Sequence, residues 1–354
     1  MEFDVNNELK YMQRCLELAA LGSGYVAPNP MVGAVIVVEN RIIAEGYHRN
    51  YGEPHAEPNA INAVNDKELL KKCTLYVNLE PCSHFGKTPP CANLIVRSGI
   101  PRVVIGTLDP NPKVSGRGVN ILREAGIEVI VGVLEKECNE LNKRFFIFQR
   151  EKRPFILLKW AQTQDGFIDR VRSSKAEQPL LISNELTRQI THKMRAENQA
   201  IMVSTNTVLL DNPSLTVRHW TGKSPIRIAI DRTGRIPDDY QIFDGKQPTI
   251  VFTSTNRAFP GVEFIQTTFD NDCLKSIIHS IYNQQIDSVL VEGGSKLLQS
   301  FITEGLWDEA HVEIGTTCIE DGVKAPKLAY SHEEQKMVQG HRLLRYINQK
   351  KQFT

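Results

Sequence analysis

Apolar residues recur at Leu9, Met12, Leu16, Ala19 and Ala20, a helical spacing closed by Gly22, so a helix is predicted over 7–22. Two apolar runs, 31–38 and 41–47, are joined by Glu39-Asn40 and read as a hairpin. The pattern then predicts helix 55–64, strand 75–79, a loop over 80–90, helix 91–98, strand 102–106, helix 119–125 and strand 128–131. Such alternation describes helices sandwiching one sheet. The charged stretch 135–153 reads as a helix and short linker stopped by Pro154, since the residue before a proline is pushed out of helical geometry. A second alternating series follows, with strands at 155–160, 200–203, 226–230, 249–253, 289–292 and 311–315 and helices at 185–197, 270–283 and 295–304.

A chain of 354 residues holds two domains by default, and the pattern divides it into 1–150 and 151–354. Lys and Arg number 42 against 41 Asp and Glu, which gives no electrostatic footprint for nucleic acid or anionic lipid. The apolar run 31–38 is too short to span a bilayer, and MEFDVNNELK lacks the basic start of a signal peptide. The expected location is the cytoplasm, where seven cysteines are not a disulfide framework. Cys15, Cys73, Cys138, Cys273 and Cys318 read as packing residues, whereas Cys82 and Cys91 lie among polar neighbours.

Those two cysteines complete a chemical pattern with His55 and Glu57. A catalytic zinc ion takes three protein ligands and keeps a fourth position for water, and His55, Cys82 and Cys91 supply that count. Glu57, two residues after the histidine, is placed to carry protons from water to a departing amine. The order His-x-Glu then Pro-Cys-x-x-Cys marks zinc nucleobase deaminases, but here the second cysteine lies nine positions after the first. A structural zinc would use a fourth protein ligand, for which His84 is the nearby candidate.

The segments PNPMVGAVIV (28–37), GYHRNYGEPHAE (46–57), LEPCSHFGKTPPC (79–91) and DPNPKVSGRG (109–118) resemble the bifunctional riboflavin biosynthesis deaminase/reductases. The longer cysteine spacing is that family's own form. The resemblance implies a cytidine-deaminase-like three-layer α/β domain followed by a dihydrofolate-reductase-like α/β domain. It implies a small-molecule phosphoribosylaminopyrimidine substrate, with Asn29, His84 and Lys87 binding its pyrimidine and phosphoribosyl groups. Pro58 replaces an aliphatic residue of the family, so the helix there should start no earlier than about His55.

In the second half, Val289 to Ser295 runs from a strand through Gly293-Gly294 into a helix, a pattern that suits either a phosphate site or a tight turn. The segments LLKWAQTQDG (157–166), TVLLDNPSLTVR (207–218) and VEGGS (291–295) resemble the family's NADPH-dependent reductase. That resemblance implies NADPH contacts at Ala161, Thr207, Asp211, Gly294, Ser295, Lys296, Leu297, Leu298, Gln299 and Ser300. It implies substrate contacts at Arg195, Leu215, Arg218 and Glu292, the arginines suiting a phosphate because guanidinium pairs with it bidentately. Lys159 and Asp165 match a further family segment in which Thr163 replaces serine, and Leu181, Ser204 and Asn206 also depart from the family. The implied activity is zinc-dependent hydrolysis of a pyrimidine amino group followed by reduction of the ribosyl group. A deaminase acting on a base in RNA and a non-catalytic zinc-stabilised binding module are the alternatives, and a homo-oligomer is left open.

Overall fold

A computed structural model describes residues 5–83, 90–111 and 115–349. The chain divides into two compact units, Met1–Lys152 and Arg153–Thr354. Among the described residues no helix is long and apolar enough to cross a membrane.

In the first unit α1 (Val5–Ala20) precedes β1 (Gly33–Val38) and β2 (Arg41–Tyr47). Next come α2 (Ala56–Ala63), β3 (Thr74–Leu79), α3 (Cys91–Arg97), β4 (Arg102–Thr107), α4 (Arg117–Glu124) and β5 (Glu128–Val131). Two short helices, α5 (Glu135–Leu141) and α6 (Lys143–Glu151), end the unit. The strands form one sheet in the order β2-β1-β3-β4-β5, antiparallel across β2, β1 and β3 and parallel from β3 to β5. Strand side chains alternate between faces, and both faces are apolar. Ala34, Ile36, Leu75, Val77, Val103 and Ile105 pack with residues of α2, α3 and α4. Val35, Val37, Tyr76 and Val104 pack with α1 and Cys138 of α5. Three layers result, and full burial of a side chain such as Ile36 or Leu75 stabilises by roughly 1.5–3 kcal/mol.

The one helix expected within the helix-and-linker stretch 135–153 is two helices that break at Asn142, whose side chain binds the Met31 backbone. The second of them stops at Glu151 because Lys152 turns to the left-handed region (φ 54°), ahead of Pro154. Of the five cysteines read as packing residues, Cys318 is exposed and Cys273 only half-buried.

The second unit contains β6 (Phe155–Gln162), β7 (Phe167–Asp169), α7 (Glu185–Glu197), β8 (Ala200–Ser204), α8 (Thr205–Asp211), β9 (Ile226–Ile230), β10 (Thr249–Thr253) and β11 (Val262–Gln266). It continues with α9 (Cys273–Asn283), β12 (Ser288–Val291), α10 (Ser295–Glu304), β13 (Glu309–Ile314), β14 (Val323–Lys324), β15 (Glu334–Val338) and β16 (His341–Ile347). The large sheet runs β11-β10-β9-β8-β12-β6-β13-β16-β15. Its strands are parallel from β11 to β13, and the hairpin β15–β16 adds an antiparallel edge. Ile156, Leu158, Met202, Val289 and Val291 meet Ile277 and Ile281 of α9 and Phe301 of α10 in its core. Gln339 and Gly340, both at positive φ, make the tight turn of that edge hairpin.

Candidate functional site

The first site is assembled where two helices begin. His55 is the N-cap residue of α2, Cys91 is the first residue of α3, and Cys82 follows the end of β3. Pro58 falls in the first turn of α2, where a missing N–H costs nothing. Gly46 of β2 lets α2 approach: a Cβ there would lie 2.4 Å from the Ala60 nitrogen.

His55 Nδ1 is 3.7 Å from Cys82 Sγ and 3.4 Å from Cys91 Sγ, and all three candidate ligand atoms lie within 4.8 Å of one another. Tetrahedral zinc with its usual bond lengths puts a histidine nitrogen about 3.5 Å from a thiolate sulfur, so the donor set fits that ion in type and spacing. Three hydrogen-bonded groups already favour charge on Cys82. The Cys91 thiol outweighs the opposing effect of burial, His55 and the Cys91 backbone N–H assist, and the Cys82 thiol is drawn well below the usual thiol range. Cys91, which holds the shared proton, is pushed up.

Glu57 is buried beside them, and its Oε2 has no partner among the described residues. Burial, with the charge of Cys82, raises its carboxyl to about 7. A carboxyl that exchanges its proton near neutrality suits general acid-base work. His55, Glu57 and Cys82 border a cavity of about 340 Å³ that Asn29, His48, Asp109 and Asn111 also line, with Cys91 buried behind them. His84 and Lys87 lie outside the described residues.

Four residues that the sequence reading passed over shape this cavity. His48 Nδ1 is 3.1 Å from the Pro54 carbonyl, and its Nε2 is 3.1 Å from Asn29 Nδ2. Since the carbonyl can only accept, Nδ1 carries the proton and Nε2 receives the Asn29 amide. Asn142 pairs with the Met31 peptide on both sides, at 2.8 and 2.9 Å, and Asn78 also donates to the Met31 carbonyl; together they hold the strand that follows Asn29. Glu80 accepts the backbone N–H groups of Asp109, Gly116, Gly118 and Val119. An acidic residue directly after a buried strand and just before Pro81-Cys82 is the available signal for Glu80.

The second site lies in the second unit, at the carboxyl ends of β6, β8 and β12, where open parallel sheets place their ligand crevices. A cavity of about 710 Å³ is lined there by Lys159, Ala161, Arg195, Thr207, Asp211, Arg218 and Glu292, and by Gly294, Ser295, Lys296 and Leu298 at the start of α10. Leu181, Ser204 and Asn206, the departures from the family, line it too. Gly294 adopts φ 74°, and a Cβ on it would meet Ser204 Oγ at 2.4 Å. Ser204 N-caps α8 by accepting from the Thr207 backbone N–H.

The remaining sequence-derived residues of this half do not line the cavity. Leu215 is buried beneath its loop, and Leu297 turns into the core with the apolar stripe of α10. Gln299 accepts the Lys327 backbone N–H, and Ser300 donates to the Lys296 carbonyl. Asp165 accepts the backbone N–H groups of Ile319 and Glu320.

Arg195 and Glu292 face each other as a fork, with Nε to Oε1 at 2.8 Å and Nη2 to Oε2 at 2.6 Å. Burial alone would push Glu292 up, but the charge and hydrogen bonds of Arg195 hold it below the usual carboxylate range. The Arg195 fork is therefore directed at a carboxylate of the protein, and Arg218 is the more exposed arginine of the two. Burial draws the Lys159 ammonium down despite the opposing charges of Glu292 and Glu313.

Residues 5–107 match the model of the cytidine and deoxycytidylate deaminase zinc-binding region, and residues 154–323 match that of the RibD C-terminal domain. The riboflavin biosynthesis protein RibD of Aquifex aeolicus is 42% identical over 335 residues, which is 92% of each chain. Its Bacillus amyloliquefaciens counterpart is 39% identical over 90% of this chain and 86% of its own. The crystal structure of a Thermotoga maritima diaminohydroxyphosphoribosylaminopyrimidine deaminase/5-amino-6-(5-phosphoribosylamino)uracil reductase superposes with a TM-score of 0.87 at 39% identity, covering 97% of this chain and 99% of that one. Acinetobacter baumannii RibD gives 0.88 at 32% identity with the same coverage.

Proposed function

The chain belongs to the RibD family of bifunctional riboflavin biosynthesis deaminase/reductases, and from that premise we propose how its two sites divide the work. The first unit hydrolyses the 2-amino group of 2,5-diamino-6-(5-phosphoribosylamino)pyrimidin-4(3H)-one. The second reduces the ribosyl group of the resulting 5-amino-6-(5-phosphoribosylamino)uracil to ribityl, with NADPH as hydride source. The observation that carries this reading is the convergence of His55, Cys82 and Cys91 with the buried carboxyl of Glu57, whose Oε2 has no partner among the described residues.

His55, Cys82 and Cys91 would hold zinc, which when bound supplies the Lewis acidity that makes water nucleophilic near neutral pH. Glu57, buried beside the ligands and outside the ligand set, takes a proton from the attacking water and returns it to the amine that leaves as ammonia. Asn29, its amide oriented by His48, lines the cavity and with His84 and Lys87 binds the pyrimidine and phosphoribosyl groups of the substrate. In the second unit NADPH would be held by Ala161, Thr207, Asp211 and the start of α10. There the Gly294 cradle and the helix N-terminus suit a phosphate. Arg218 meets the substrate phosphate, while Arg195 keeps Glu292 ionised beside Lys159. This small-molecule chemistry fits a cytoplasmic enzyme.

Incubating the full chain with the diaminopyrimidine phosphate tests the proposal. A gain of one mass unit in the product reports replacement of the amino group, and two further units, only when NADPH is added, report reduction. No mass change in a zinc-loaded preparation overturns the deaminase assignment.

A further inference from the structure

The loop 212–218 that carries Arg218 is secured by side chains at successive backbone groups. Buried Arg227 donates from Nε to the Ser214 carbonyl at 3.0 Å, and Arg195 Nη1 donates to the Thr216 carbonyl at 3.2 Å. Ser224 Oγ accepts the Val217 N–H at 3.0 Å, and His192 Nδ1 accepts the Arg218 N–H at 3.0 Å. Leu215 adopts φ 57°, a conformation that this set of contacts has to maintain.

The contact from His192 determines its chemical form. A backbone N–H can only donate, so Nδ1 must be the bare nitrogen and the proton of the neutral ring sits on Nε2. His192 precedes Arg195 by three positions on α7, so the two share a helix face, and both line the cavity of the second unit. Arg195 and Arg218 oppose a second proton on the ring, Glu292 favours one, and the His219 ring packs edge-on at 4.8 Å. The ring is nearly buried, and it stays neutral in ordinary buffers because burial together with the two arginines lowers its pKa to about 4.

We infer that His192 is a positioning residue of the reductase site: its bare Nδ1 fixes the Arg218 backbone so that the guanidinium is held ready for the phosphate of a phosphorylated sugar. The inference rests on the reading of the second unit as a reductase of a phosphoribosyl substrate. It separates His192 from the groups that contact substrate, since its effect passes through Arg218.

Asparagine can place an oxygen near the Nδ1 position, whereas glutamine places its amide near Nε2 and phenylalanine fills the space with no acceptor. The full-length variants His192→Asn, His192→Gln, His192→Phe, Arg218→Ala and the double variant His192→Gln/Arg218→Ala are assayed for NADPH oxidation with the deaminated phosphoribosyl substrate. Losing the acceptor should raise the KM for that substrate about tenfold in the Gln and Phe variants. Their kcat should stay within about threefold and their affinity for NADPH should be unchanged, and Asn should restore a KM near wild type. In the Arg218→Ala background the Gln change should add less than about twofold, because the two residues act through one contact. Equal damage by Asn and Phe, additive KM effects in the double variant, or a fall in kcat with unchanged KM would each overturn the role. The Phe variant answers the question if Gln perturbs folding. Absence of NADPH oxidation in the wild-type chain overturns the reductase reading and this role with it, whereas wild-type turnover with unaltered KM in Gln and Phe removes the role of His192 alone.

Discussion

Replacing Arg227 by methionine tests whether the second unit is organised around the buried guanidinium on β9. Its side chain is fully buried and donates to Asp244 Oδ1 at 2.6 Å, to the Ser214 carbonyl at 3.0 Å and to the Gln241 carbonyl at 3.0 Å. Methionine fills most of the volume but removes every donor. Breaking a buried ion pair costs about 3–5 kcal/mol when the partner charge stays buried. The Asp244 side chain is 21% exposed and can be rehydrated, which puts the expected loss at the low end, about 3 kcal/mol. For a unit of this size that loss lowers the melting midpoint by roughly 6–12 °C. Calorimetry of the full chain measures the shift, and hydrogen exchange in peptides from β9 and from loop 212–218 assigns it to the second unit. Deamination should be unchanged at temperatures below the new transition. Adding Asp244→Asn should cost less than its effect in the wild-type background, since the partner has already gone. A midpoint shift below about 2 °C, or full additivity of the two changes, would refute the view that this pair and its carbonyl contacts organise the loop.

The first site should separate metal binding from catalysis. Glu57→Gln should retain zinc by elemental analysis and lose roughly a hundred- to ten-thousand-fold in deamination, and zinc loss in this variant would contradict the assignment. Cys91→Ser should lower zinc content because serine is a poor ligand, so stoichiometric zinc in that variant would mean that the ligand set is different. The pH dependence of the second unit should follow His192, whose pKa is lowered by burial and then by Arg195 and Arg218 to about 4. Between about pH 6.5 and 4 the unfolded chain binds a proton that the folded ring refuses, so stability should fall as the pH drops through that window. Urea midpoints across the range should show this slope in the wild type and a shallower one in His192→Asn; equal slopes would exclude His192 as its source.

Much of the secondary structure was legible because burial imposes a period on the residues. The stripe on α7 marked Glu185–Glu197, the apolar runs marked β3, β9 and β10, and the strand-Gly-Gly-helix step marked the start of α10. The hairpin of β16 and the edge strand β15 was not read, because both strands keep much of their surface in water and lack the continuous apolar run of a central strand. The short β7 and α8 escaped for want of length, being too brief to establish a period.

For the candidate site, the amino-acid sequence by itself determined the donor chemistry and its spacing: His55 and Glu57 at one helix start, Cys82 and Cys91 around one loop, and a glycine pair before α10. Those depend on residue type and local geometry, which neighbours in the chain specify. Only the tertiary structure decided which remote groups secure them, as Glu80 takes the N–H groups of Asp109, Gly116, Gly118 and Val119, Asn142 grips Met31, Arg195 turns its fork to Glu292 and His192 takes the Arg218 N–H. It also directed Leu215, Leu297, Gln299, Ser300 and Asp165 away from the second cavity. The physical reason is that a buried polar group must find a partner wherever the fold offers one, and contacts between residues as far apart as Met31 and Asn142 leave no periodic trace along the chain.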